Sequence, residues 1–388
     1  MLESYKLNMI CVAKTLEGLE SILEKELQSL SVKRIISLKR AVQFETDVEG
    51  LYRCNYMLRT ALNILVPIAS DVCNSDNQLY AFSSKIKWDK YLDNNKTFAI
   101  TNTVNSSVFT HSQYAALKLK DAIVDFFRRK YGTRPSIDRD YPDIKINLHI
   151  QNRDVSISLD SSGQPLFKRG YRKRTGVAPL NEVLAAGIIE LAGWNADTDF
   201  IDPMCGSGTI PIEAFMKICK IPPGYNRMRF GFQDWADFEP SIWKKVKDEF
   251  NNKIIDPSHK IIGMDISPEL VEDSDNNRTR VPKGELIQFK QKDFFGCKFD
   301  PGKTLIFNPP YNQRLVKKDI NLFYKLMGDA MKNNAKDCTA SIISGNPEAL
   351  KHISLKPCKR VPLKNGPIDC KFHKFELYEG TRKIHKNQ

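Results

Sequence analysis

With 388 residues the chain exceeds what one hydrophobic core usually serves, and its 41% hydrophobic residues include no run long enough to span a membrane and no signal-peptide layout at Met1 to Lys14. Nine cysteines without a C-x-x-C pair and six scattered histidines point to a reducing cytoplasm and away from a zinc site or a disulfide framework. The formal charge of +13 is unevenly spread: residues 1–160 hold 22 Lys+Arg against 19 Asp+Glu and residues 177–388 hold 32 against 27, whereas residues 161–176 hold 5 against none.

Taken in order, Thr15 to Leu30 carries Leu16, Leu19, Leu23, Leu27 and Leu30 at helical spacing. A hairpin follows over Arg34 to Phe44, then a helix over Leu51 to Leu65 running into a strand from Asn63 to Ile68. The polar stretch Asp71 to Gln78 marks a boundary. Beyond it Thr97 to Val104 alternates as a strand, and Ser112 stands where an N-cap precedes a helix through Lys130. Ile144 to Gln151 and Val155 to Asp160 read as two strands about a tight turn. Both units are α+β and hold no catalytic constellation, which suits a binding platform.

Ser161 to Pro165 reads as a linker, and the basic run after it, Lys168, Arg169, Arg172, Lys173 and Arg174 with Tyr171 among them, looks like either a phosphate-contacting strip or a solvated connector. From there helix and strand alternate. Helices are expected over Asn181 to Ala192, Ile210 to Ile218 and Pro268 to Arg278. Strands are expected ending at Phe200 to Ile201 and over Lys260 to Asp265, Leu286 to Lys290 and Lys303 to Phe307. The order is that of a doubly wound α/β sheet, interrupted by an excursion over Lys217 to Ser258.

Chemistry gathers at the strand ends of this half. Asp202 to Thr209 (DPMCGSGT) follows a strand and opens a helix, where Gly206 and Gly208 permit close backbone approach and the helix N-terminus attracts an anion. Without a P-loop lysine it suits a carboxylate-bearing ligand such as S-adenosylmethionine, and it equally suits a structural turn. Asp265 ends the next strand, placed to accept from ribose hydroxyls or to cap the following helix, and Asp293 after the third could accept from an adenine amino group. Asn308, Pro309, Pro310 and Tyr311 form a stiff edge: the prolines fix φ, Asn308 Oδ1 and the Pro309 carbonyl accept from a flat amine, and Tyr311 stacks on it. Drawing the two amine hydrogens aside stabilises the charge that grows as nitrogen attacks an electrophilic methyl. A plain proline-rich turn is the other reading.

With these features in this order the chain resembles the THUMP-domain RNA methyltransferases, the group that includes the bacterial 23S ribosomal RNA guanine-N2 methyltransferases. Lys168 to Arg172, Ala178 to Leu180, Asp202 to Glu213, Asp265, Asn308 to Tyr311 and Arg314 carry the resemblance. It implies a ferredoxin-like unit over residues 1–70, a THUMP RNA-binding domain over 71–160, a basic connector over 161–176 and a Rossmann-like methyltransferase domain over 177–388. It further implies S-adenosylmethionine bound by Asp202, Cys205, Gly206, Ser207, Gly208, Thr209, Asp265, Ile266, Asp293 and Asn308. Catalysis then falls to Asn308, Pro309, Pro310 and Tyr311, and RNA binding to the connector cations. The family pattern departs at Asn181, where relatives often have Lys, and at Asn312, where Gly is usual.

The expected partner is structured RNA, ribosomal before transfer RNA, with no membrane and no metal. Adenine N6 in DNA or RNA and glutamine in a protein offer the same kind of amine. An RNA-binding protein with an inactive transferase domain is the alternative from another class.

Overall fold

The computed structural model describes residues 8–172, 180–310 and 317–379. Of these, residues within 1–15, 23–168 and 227–249 form one compact unit, and those within 16–22, 169–226 and 250–388 form the other.

The first unit is built on one eight-stranded sheet. Its strands are β1 (Met9–Lys14), β2 (Lys33–Leu38), β3 (Ala41–Thr46), β4 (Asn63–Val72), β5 (Thr97–Asn105), β6 (Ser136–Ile137), β7 (Ile144–Gln151) and β8 (Asp154–Asp160), in the order β2-β3-β1-β4-β8-β7-β5-β6. The long β4 joins the halves. Leu65 lies opposite Val12 of β1 and also opposite Asp160 of β8, so the hairpin region and the second α+β region share one ladder. Helices α1 (Glu20–Ser29), α2 (Val48–Met57), α3 (Asp76–Ser84) and α4 (Ser112–Tyr131) complete the N-terminal half of the chain. Trp88, Phe98, Leu119, Ile123, Phe127 and Leu148 are buried together in one core.

The excursion returns to this unit for a physical reason. Residues 227–249 bring Phe230, Phe232 and Trp243 against Tyr52 and Tyr56 of α2, with Tyr52 stacked on Phe232 at 4.2 Å and Trp243 edge-on to Tyr56 at 5.3 Å. The Arg227 guanidinium donates to the carbonyls of Ser162, Gln164, Pro165 and Lys168 at 2.8 to 3.1 Å. Ser161 and Ser162 are fully buried and bonded to Asn55 and Ile64. The run expected as a linker is therefore packed structure, because its hydroxyls and carbonyls find partners that only the fold supplies.

The second unit holds β9 (Phe200–Asp202), β10 (Ile261–Asp265), β11 (Gln288–Gln291), β12 (Thr304–Phe307), β13 (Thr339–Ser344), β14 (Lys359–Asn365) and β15 (Ile368–Glu376) in the order β11-β10-β9-β12-β13-β15-β14. The strands from β11 to β13 are parallel, and β15 and β14 add an antiparallel edge. Helices α5 (Glu182–Ala192), α6 (Thr209–Ile218), α8 (Pro268–Arg278) and α9 (Lys317–Asn334) belong to this unit, while α7 (Pro240–Asn251) begins within residues 227–249. Strand order reverses between β9 and β12, the switch point where open α/β sheets bind ligands outside the strand ends. Leu305, Phe307, Tyr324, Met327, Met331 and Ile342 pack the face towards α9.

Several boundaries differ from expectation. The helix expected over Leu51 to Leu65 stops at Met57, where Leu58 turns to extended backbone and releases the chain into β4. Its N-cap is Asp47, accepting from the Gly50 N–H at 2.9 Å. The N-cap position of α4 is His111 rather than Ser112. The polar stretch Asp71 to Gln78 contains the start of α3, capped by Ser75.

Candidate active site

Three carboxyl ends of adjacent strands define the site. In register, Gly263 of β10 lies beside Asp202 of β9, and Leu305 of β12 beside Ile201. Asp265 and Asn308 therefore both stand two residues beyond the level of Asp202, on the strands that flank it, roughly 10 Å apart across two strand spacings. Asp202 is 1% exposed. Its Oδ1 accepts from the Met204 N–H at 3.1 Å, while its buried Oδ2 has no hydrogen-bond partner among the described residues. Asn308 Oδ1 is likewise buried and without a partner among them. Two orphaned acceptors at the switch point are unusual, since a buried acceptor left unpaired costs about 1–3 kcal/mol. Burial pushes the Asp202 carboxyl well above the usual carboxylate range, and the nearby Asp265 charge adds to the effect. Such a carboxyl complements a ligand that brings positive charge or N–H donors.

The glycine loop is shaped by its own backbone. Gly206 and Gly208 adopt φ of +54° and +81°, conformations that cost a side-chain-bearing residue energy. A Cβ on Gly206 would meet open space, whereas one on Gly208 would approach the Phe289 ring at 2.8 Å. The Cys205 N–H donates to Met264 O at 2.7 Å and the Gly206 N–H to Asp265 Oδ2 at 2.9 Å, which fastens the loop to the end of β10. Asn277 and Ser274 of α8 donate to the carbonyls of Ser207 and Gly206. Asp265 Oδ1 accepts from the Ser267 N–H at 3.0 Å, and Ser267, with Pro268 after it, is the cap of α8. Asp265 is thus a half-buried carboxylate at the mouth of the loop whose oxygens keep lone pairs for further donors.

The basic connector is corrected in two of its residues. Arg169 is 2% exposed, with Nε donating to Glu213 of α6 at 3.3 Å, and the buried Tyr171 hydroxyl donates to the same oxygen at 3.1 Å. Arg172 donates to Glu182 at 2.8 and 3.0 Å and to the hydroxyls of Ser207 and Thr209 at 3.2 and 3.0 Å. Neither guanidinium is offered to a phosphate: each is spent on a buried acid of a neighbouring helix, and Arg172 braces the glycine loop. Replacing Arg172 by Gln is expected to lower stability by about 1.5–3 kcal/mol, measured by denaturant unfolding, while leaving the salt dependence of RNA binding unchanged. A shallower salt slope with intact stability would return Arg172 to the phosphate strip.

Among the other expected residues, Lys168 is exposed and bonded to Gln164. Asp293 is exposed and accepts from the Phe295 N–H at 3.0 Å as the cap of a short 3-10 turn. Ile266 is 67% exposed beside Asp265. Cys205 is buried, and burial pushes its thiol well above the usual range. Thr209 is buried as the first residue of α6, Pro309 is buried and Pro310 is exposed. Tyr311, Asn312, Arg314, Lys173, Arg174, Ala178 and Pro179 lie outside the described residues. Sequence reasoning did not assign bracing roles to Glu182, Glu213, Ser274 and Asn277. The first two carried a usable signal, as acids on otherwise apolar helices near an arginine-rich run.

Residues 169–374 match the family described as "RMKL-like, methyltransferase domain", residues 73–160 the THUMP domain and residues 11–65 the RlmL ferredoxin-like domain. Among solved structures, a candidate methylase from Clostridium difficile 630 is 30% identical, with 97% of this chain and 100% of that one covered and a TM-score of 0.86. SMU.472, a candidate methyltransferase complexed with SAH, is 26% identical over 96% of this chain and 99% of its own, with a TM-score of 0.85. A protein from Listeria monocytogenes named a predicted N6-adenine-specific DNA methylase is 27% identical over 95% of this chain and 96% of its own, also with a TM-score of 0.85.

Proposed function

The chain belongs to the RMKL-like methyltransferase family, and from that premise we propose that it methylates an exocyclic amine of a base in structured RNA, with guanine N2 of 23S ribosomal RNA as the first candidate. The observation that carries this reading is that Asn308 Oδ1 at the end of β12 and Asp202 Oδ2 at the end of β9 beside it have no partner among the described residues. S-Adenosylmethionine supplies an electrophilic methyl when bound, and the SAH complex of SMU.472 supports it as the cofactor. The residues present fit it. Asp202 Oδ2 would meet the ammonium of the methionine end, Gly206, Ser207 and Gly208 would line that end, Asp265 would accept from the ribose hydroxyls, and Asp293 and Ile266 would border the adenine.

Asn308 Oδ1 and the Pro309 carbonyl accept the two hydrogens of the target amine. That would draw the nitrogen lone pair out of conjugation for attack on the methyl, the sulfonium sulfur leaving with the electron pair of the broken S–C bond and the cationic nitrogen then losing one proton to water, with no strong base required. Tyr311, which lies outside the described residues, is given the stacking role by the sequence and the resemblance alone. A stacked, paired amine cannot reach a methyl donor held at a strand end, so the nucleotide is taken from an unpaired region or flipped out. The THUMP match supports RNA as the carrier of that base, and the resemblance to the ribosomal RNA group supports guanine and ribosomal RNA. The name of the Listeria protein favours adenine N6 as the second reading.

The test is transfer of labelled methyl to RNA from a strain lacking the gene, followed by nucleoside digestion. Label in N2-methylguanosine is the expected result. Label in N6-methyladenosine, or only in DNA or protein, overturns the base or carrier assignment.

A further inference from the structure

The antiparallel edge of the methyltransferase sheet carries a groove of about 680 Å³ whose charged lining is wholly basic. Lys351, Lys356, Arg360, Lys371 and His373 line it, and no Asp or Glu among the described residues does. Lys351 is neutralised by Glu348 at 2.7 Å. Lys356, Arg360 and Lys371 are exposed, and their side chains have no hydrogen-bond or ion-pair partner among the described residues. Burial first, then the charges of Arg360 and Lys371, lower the His373 imidazole to about 4.

The sheet register ties this groove to the site. Phe307, the residue before Asn308, faces Ile342 of β13, Ile342 faces His373 of β15, and His373 faces Arg360 of β14. Lys371 faces Ser344, the last residue of β13. Arg360 and Lys371 therefore lie within about one residue of the level of Asn308, two to three strands away, or roughly 10–15 Å along the same sheet edge. That is the reach of two or three nucleotides of an extended strand, for which successive phosphates sit several ångströms apart.

We propose that this groove binds the phosphodiester backbone of the substrate RNA beside the target nucleotide, with Lys356, Arg360 and Lys371 as the contacts. The inference rests on the reading of an RNA substrate and deepens it, since it moves the phosphate contacts within the catalytic unit from the ion-paired Arg169 and Arg172 to an open cationic surface. Unneutralised cations bind phosphates by releasing condensed counterions, so the groove contributes a salt-dependent, sequence-independent share of affinity. It holds the strand that bears the base without touching the base itself.

The experiment uses the full chain, a fluorescein-labelled RNA hairpin with an unpaired loop, and the variant Lys356→Gln/Arg360→Gln/Lys371→Gln. At 0.1 M salt the variant is expected to bind the hairpin roughly 100-fold more weakly, with the slope of log K against log salt reduced by about 2, while S-adenosylmethionine affinity and unfolding temperature stay at wild-type values. Wild-type affinity and slope in the folded variant overturn the groove and leave the RNA reading standing. No salt-dependent binding of the hairpin by the wild-type protein overturns both. A variant that loses affinity for polyglutamate but not for RNA shows that the groove takes an acidic polypeptide, and the proposal fails.

Discussion

Replacing Asn308 by Ala is expected to reduce single-turnover methyl transfer by about a hundredfold or more, the scale on which one preorganised transition-state partner acts, while the unfolding temperature holds or rises. The two halves of that expectation come from one atom. Asn308 Oδ1 is buried without a partner among the described residues, so the Ala variant gives up no hydrogen bond that those residues make. An acceptor left open at a strand end is available for what it meets later. On the proposed reading that is an amine hydrogen whose partial charge grows as nitrogen attacks. A merely structural asparagine would behave in the opposite way, losing stability and sparing the rate. Single-turnover transfer and thermal unfolding, run on the same preparation with S-adenosylmethionine affinity as the control, separate the cases. Wild-type turnover in the Ala variant moves the chemistry elsewhere.

The catalytic half was legible where short-range chemistry dictated position. β9 and β12 are brief apolar runs that stop at Asp202 and at Asn308-Pro309, and buried parallel strands read as such runs between sharp breaks. The glycine loop was legible because two glycines between a strand and a helix leave few other conformations. Arg169 and Arg172 were misread because a charge run does not say which acids will face it. Glu182 lies 10 residues from Arg172 and Glu213 lies 44 from Arg169, and only the packing of α5 and α6 brings them together. The return of residues 227–249 to the first unit depends on Tyr52 and Tyr56, which no local pattern connects to Phe232 and Trp243. α7 did carry a signal, with Ile242, Trp243, Val246 and Phe250 at helical spacing, but the prolines before it masked the period. The same holds for the cationic groove: residues 349–368 hold five Lys+Arg and no Asp+Glu, a bias as strong as that of the connector. Which of the two runs stays open to solvent is decided by tertiary structure.

Replacing Asp265 by Ala is expected to weaken S-adenosylmethionine binding by about 2 to 4 kcal/mol, or roughly 30- to 1,000-fold in Kd, as two charge-assisted hydrogen bonds to ribose are lost. The structure complicates the interpretation, because the same carboxylate accepts from the N–H groups of Gly206 and Ser267 and so holds the glycine loop as well. Loss of affinity alone does not distinguish a direct contact from a loosened loop. A thermodynamic cycle does. S-Adenosylhomocysteine and its 2′,3′-dideoxy analogue are titrated into the wild type and the variant by calorimetry. If Asp265 accepts from the hydroxyls, the wild type discriminates between the two ligands and the Ala variant does not, whatever happens to the loop. If Asp265 acts only through Gly206, both ligands weaken equally and the discrimination survives in the variant, which would place the ribose on another acceptor.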